Sequence, residues 1–80
     1  MQIATTPGSD RYVITVSGEV DLATSPELDT AIIDAIESGA ASVVIDLTDV
    51  SFMDSSGLGV IFRGLKSCRE ADKDLDLVIT

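Results

Sequence analysis

Apolar and polar positions change their period several times along the chain, and each period names an element. "RYVITVSG" alternates strictly, with Tyr12, Ile14 and Val16 on one side and Val13, Thr15 and Ser17 on the other. That predicts a half-buried strand. Before it, "PGSD" at residues 7–10 supplies the dihedrals of a reversal, so the weaker run "MQIATT" becomes the other arm of a hairpin. The period then lengthens. In "DLATSPELDTAIIDAIESG", Leu28, Ala31, Ile32, Ala35 and Ile36 follow the spacing of one buried helical face. Two starts are available: Ser25 as cap with Pro26 at the first helical position, or Thr24 in a capping box with Glu27. Gly39 is placed to end the helix.

"ASVVIDL" at 41–47 is β-branched and almost continuously apolar, the pattern of a strand covered on both faces. After "FMDSSGLGVIF", the positions Leu58, Ile61, Phe62, Leu65 and Cys68 recur at helical spacing, and "LDLVIT" reads as a last strand. The order is β-β-α-β-α-β. Strand–helix–strand units want parallel pairing through right-handed crossovers, so the expected fold is α/β, a mixed sheet with both helices packed against it. Residues 1–80 form a single domain without repeat or linker. Its closing apolar strand has nothing downstream to cover it or the exposed sheet. A truncated domain, or an edge shielded by another molecule such as a second copy, would account for that.

Composition narrows the function. Eighty residues make one small domain, burying about 60–65% of its unfolded surface. No apolar run reaches the roughly 18 residues of a membrane helix, and "MQIATTPGSD" lacks the basic and apolar regions of a signal peptide. The lone Cys68 cannot form an internal disulfide, and its helical position suggests a packed thiol in a reducing cytoplasm. Fourteen acids against five bases give a net charge of −9. That excludes nucleic acid as a natural partner and disfavours an anionic membrane, though acidity is also an ordinary solubility device. Arg63, Lys66, Arg69 and Lys73 gather in or just after the second helix, where its dipole favours cations.

The candidate chemistry sits in "FMDSSGLGVIF", between strand and helix. A hydrolase elbow would need glycine two positions before the serine, where Met53 and Asp54 stand, and the chain has no histidine to serve as base. Gly57 and Gly59 begin a dinucleotide pattern, but Phe62 replaces its third glycine. Gly59 and Gly64 have phosphate-loop spacing, but Leu65 replaces the lysine. Asp21 and Asp54 could share a hard cation only if their loops meet. Neither an enzyme nor a bound cofactor or metal is therefore expected. Ser55 or Ser56 as a helix cap would be worth about 0.5–2 kcal/mol over alanine. Capping leaves Asp54 unexplained, and also two glycines in the first turns, each costing about 1 kcal/mol against alanine. Close approach of another chain would explain the glycines, and a helix N-terminus accommodates a covalent phosphate.

"GEVDLATSPEL" at 18–28 and "LTDVSFMDSSGLGVIFRGLK" at 47–66 resemble the STAS domain family. Within it they look most like the anti-sigma factor antagonists, or anti-anti-sigma factors, of bacterial partner switching. The resemblance covers the chain from the first strand to the last residue. It implies the STAS fold, here without the C-terminal helix and strand that the family normally adds. It implies a cytoplasmic protein that, unphosphorylated, binds an anti-sigma factor with serine/threonine kinase activity and so releases a sigma factor. Phosphorylation would switch it off and a serine phosphatase would reset it. By the family's D-S-[ST]-G-L-G pattern the acceptor is Ser55, with Ser56 second. Asp21 and Asp54 would lie on the docking surface with Ser56, Gly57, Leu58 and Gly59. The alternative is a STAS scaffold or transport-system subunit that does not switch.

Overall fold

A computed structural model describes residues 1–80. The elements run β1 (Gln2–Thr6), β2 (Arg11–Val20), α1 (Ser25–Glu37), β3 (Ser42–Met53), α2 (Ser55–Glu70) and β4 (Asp74–Val78). They have the order and the mixed α/β class that the periodicity predicts. The strands form one sheet in the order β1-β2-β3-β4, with β1 antiparallel to β2, and β3 parallel to both β2 and β4.

Register carries the alternation of β2 across the sheet. Tyr12 pairs with Val43 and Ile14 with Ile45, while Ile3 lies opposite Val16 and Leu75 opposite Val43. This row is the face on which Leu28, Ile32, Val60, Ile61 and Cys68 close the core. Ile14, Leu28, Ile32 and Ile45 are fully buried, each contributing about 1.5–3 kcal/mol relative to exposure.

Both helices lie on that one face and pack against each other, so β3 is not covered on both sides as its composition suggests. The cause is topological. The chain steps from β2 to β3 to β4 in one direction, and two right-handed crossovers in the same direction put both helices on the same side. The opposite face carries Thr15 beside Asp46 and Val13 beside Val44, and continues onto Asp76. Its mixture of hydroxyls, carboxylates and single valines suits water.

The buried face of α1 falls where the spacing puts it, on Leu28, Ile32 and Ala35, with Ala31 and Ile36 half-buried. That of α2 does not. Of the five apolar positions at helical spacing, only Ile61 and Cys68 are buried, and Leu58, Phe62 and Leu65 face outward. The inward face is Gly57, Val60, Ile61, Gly64 and Cys68. Two of these are glycines, so the face is marked by small size as much as by hydrophobicity. A Cβ on Gly64 would stand 3.0 Å from Ile32 Cγ2, which places the contact between the helices at that glycine.

Candidate functional site

The serines stand where two parallel strands end together. Register shifts between Thr15 and Ser17, and between Gly18 and Glu19, let the longer β3 finish level with β2. Gly18 takes a φ of +87°, a region that suits glycine. Val20 and Met53 are therefore paired, and the Asp54 amide donates to the Val20 carbonyl at 3.1 Å. Asp21 and Asp54 each follow one member of this pair, so the two loops do meet. They meet at the carboxyl ends of the strands, where open α/β sheets place their sites.

Asp54, not a serine, caps α2. Its backbone is extended and its Oδ1 accepts from the amides of Ser56 at 2.9 Å and Gly57 at 3.2 Å, while its carbonyl accepts from Leu58 at 3.1 Å. This corrects the expectation that Ser55 or Ser56 caps, and it accounts for the acid that serine capping left unexplained. Carboxylate and hydroxyl compete for one position, and the residue that sits just before the helix with extended dihedrals wins it. Ser55 becomes the first residue of α2, exposed, and Ser56 the second, half-buried.

Asp21 has a similar task. Its Oδ1 accepts from the amides of Ala23 and Thr24, both at 3.0 Å, and the Thr24 hydroxyl accepts from the Asp21 amide at 2.9 Å. Thr24 occupies the cap position of α1 but makes no side-chain cap bond, so neither the Glu27 capping box nor the Ser25 cap forms. Its hydroxyl is held on the Asp21 turn instead, at 3.2 Å from the Asp21 carboxylate. Asp21 and Asp54 each commit one carboxylate oxygen to their own turn, and no group of three or more His, Cys, Asp or Glu side chains is gathered there.

The glycines separate. A Cβ on Gly57 would meet Met53 Cγ at 2.6 Å and Val20 Cγ1 at 2.8 Å, so its missing side chain is required by the protein's own packing. Gly57 is buried against Met53 and Val20. At Gly59 the only nearby atom is Arg63 Nη1, at 3.4 Å. Nothing inside the molecule requires that glycine.

The geometry thus brings Asp21, Asp54, Ser55, Ser56, Leu58 and Gly59 to one end of the sheet, with Leu58 about half exposed. It adds Leu22, 76% exposed beside Asp21. Its signal in the sequence was an apolar residue in the turn before α1, off the helix's buried stripe. The depression nearest the serines is lined by Leu47, Val50, Ser51, Phe52, Met53 and Ile79, and holds no cation for a nucleotide phosphate. No helix is long and apolar enough to cross a membrane. Cys68 is buried and unpaired, and burial pushes its thiol above the ordinary 9.0 against the opposing pull of Lys73.

The chain is similar over 75 residues to the anti-sigma-B factor antagonist of Staphylococcus epidermidis, at 37% identity, covering 94% of this chain and 69% of that protein. Its structure superposes on that of an anti-sigma factor antagonist from Mycobacterium paratuberculosis with a TM-score of 0.86 and 27% identity, over 98% of this chain and 66% of that one. It has the fold of the antagonist SpoIIAA in its unphosphorylated form, with a TM-score of 0.80 and 22% identity over 95% of this chain and 71% of that one. The phosphorylated form from Bacillus gives 0.78 and 21%, over 92% and 68%. The STAS domain model matches residues 1–80, and the chain belongs to the STAS domain family.

Proposed function

We propose that this protein is an anti-sigma factor antagonist, and that Ser55 is its switch. The unphosphorylated chain binds an anti-sigma factor that is also a serine/threonine kinase, through Asp21, Asp54, Ser56, Leu58 and Gly59, and a sigma factor is released. The observation that carries the reading is the division of labour at the start of α2. Asp54 caps the helix, so the exposed Ser55 hydroxyl has no capping role to lose when it is modified. The names of the relatives, and the SpoIIAA fold solved in both phosphorylation states, support it.

In the transfer, the Ser55 hydroxyl oxygen attacks the γ-phosphorus of ATP held by the kinase. The new O–P bond forms as the bond to the β–γ bridging oxygen breaks, ADP leaves, and the hydroxyl proton passes to a base on the kinase. The antagonist supplies the acceptor and no catalytic group. A serine phosphatase reverses the state by hydrolysis, and the exchange takes place in the cytoplasm.

Phosphate adds about −1.5 to −2 charge at the end of the sheet that already carries Asp21 and Asp54. A partner surface shaped to a neutral hydroxyl then meets repulsion and an unpaired dianion. A loss of about 3 kcal/mol suffices for a hundredfold fall in affinity. No rearrangement of the sheet is needed.

Intact mass and site mapping after incubation with ATP and the cognate anti-sigma kinase test the proposal. One phosphate on Ser55 supports it, and phosphate on Ser56 alone keeps the switch but moves it by one residue. Tight kinase binding without phosphate would make the chain a constitutive antagonist. Neither binding nor phosphate would leave the scaffold or transport-subunit reading.

A further inference from the structure

Gly59 is the one glycine of α2 that internal packing does not demand, and the atom beside it is a guanidinium nitrogen. Side chains on a helix lean toward its N-terminus, and residues four apart share a face. Arg63 accordingly lies back along α2 until its Nη1 comes within 3.4 Å of where a Gly59 side chain would begin. A side chain of any length at residue 59 would compete for that space. Glu70, the helix's only acid, is at the far end and does not draw Arg63 away.

From Gly59 to Ser55 is one further turn, about 6 Å of axial rise. That is about the span of a phosphoryl group plus one charge-assisted hydrogen bond of about 2.7–2.9 Å. We propose that Arg63, lying in the groove left open by Gly59, is the positioning residue that pairs with the phosphate once Ser55 is phosphorylated. The proposal rests on the reading of Ser55 as acceptor. It gives the helix-interior glycine a purpose, and it makes the phosphorylated state a defined ion pair on the docking surface. Guanidinium is suited to this, because its planar fork offers a phosphate two parallel donors.

The charged groups at this end of the sheet are Asp54 at the cap of α2, Asp21 on the turn before α1, and Arg63 on α2, with Lys66 the next cation along the chain. The carboxylates raise the second pKa of the phosphate and Arg63 lowers it, so the informative quantity is the difference between variants. The 80-residue chain can be made by chemical synthesis with phosphoserine at 55, and its phosphate titrated by phosphorus NMR. Arg63→Gln should raise the midpoint by about 0.4 unit, the size expected of an exposed ion pair. Lys66→Gln should move it much less, and far-ultraviolet circular dichroism should show all three chains equally folded. No shift with Arg63→Gln, or an equal shift with Lys66→Gln, overturns the pairing. Because no kinase is used, failure of the kinase to modify Ser55 would overturn the switch and leave this result standing separately.

Discussion

The amide of Asp54 donates to the carbonyl of Val20 at 3.1 Å, so the last residue of β2 holds the residue that caps α2. Through this bond the loop after β2 and the loop after β3 share one support. Asp21 follows directly in the first loop and Ser55 in the second. The proposed docking surface would thus stand on two strand ends fixed to each other, with each acid tied into its own turn.

The division between cap and acceptor is measurable as stability. Asp54→Ala should destabilise the chain by about 0.5–2 kcal/mol through loss of the cap, and Asp54→Asn should recover most of it. Ser55→Ala should lie within about 0.5 kcal/mol of the parent, as an exposed change away from packing does. Urea unfolding of the three variants decides the matter. A Ser55→Ala loss as large as that of Asp54→Ala would return the cap to the serine.

Two glycines two residues apart should respond to alanine with opposite sign. Gly57→Ala drives a methyl into Met53 and Val20, an overpacking cost of about 1–3 kcal/mol. Gly59→Ala meets only the end of a flexible arginine and should gain up to about 1 kcal/mol of helix propensity. Thermal unfolding of the pair checks both signs. Destabilisation by Gly59→Ala would mean that an internal contact holds that position.

The extent to which these features were legible varied with how local their causes are. The alternation of Tyr12, Ile14 and Val16, and the stripe from Leu28 to Ile36, follow from period alone, and the structure places them as expected. The face of α2 was misread because Leu58, Phe62 and Leu65 keep helical spacing while Gly57 and Gly64 make the close contacts. Hydropathy scores side chains and gives no weight to their absence. The one-sided cover of β3 came from crossover direction, which no single strand encodes. At the start of α2 the motif placed an acid and two serines at the strand-to-helix junction, but the choice of Asp54 over serine as cap depended on the dihedrals of one residue.

Cys68 gives a prediction at high pH. Burial raises its thiol above the ordinary 9.0 in the folded chain, so the unfolded chain loses that proton first. The contribution to stability is complete below the unfolded value and is lost as pH rises through the folded one. Denaturation midpoints should fall above about pH 9, less steeply in Cys68→Ala after allowing for its lower baseline. Iodoacetamide should label the native thiol far more slowly than the urea-unfolded one. Equal labelling rates would mean that the thiol is open to solvent in the native chain.

At acid pH the corresponding group is Asp46. The hydroxyl and amide of Thr48 hold its carboxyl below the ordinary 3.8. A depressed folded pKa contributes stability that is present above the unfolded value and lost as pH falls through the folded one. Carboxyl-carbon NMR should place the Asp46 midpoint below that of an exposed aspartate, and Thr48→Val, which removes the hydroxyl, should move it upward. An unchanged midpoint would assign the effect to the amide alone.

The proposed switch predicts an order among substitutions of Ser55 in binding to an anti-sigma kinase. Ser55→Ala keeps a small neutral group where Asp21 and Asp54 are already spaced by their turns, so affinity should stay within a few-fold of the parent while phosphorylation is lost. Ser55→Asp places a further carboxylate next to Asp54. Its affinity should fall at least tenfold, about 1.4 kcal/mol, and phosphorylated Ser55 further, because the dianion carries more charge. The difference between Asp and Ala should shrink as salt is raised, by the portion of the repulsion that solvent ions screen. Calorimetric titration of the parent, the two variants and the phosphorylated chain at two ionic strengths gives the affinities needed. Equal affinity of the Asp and Ala variants at low salt would rule out charge repulsion as the basis of release.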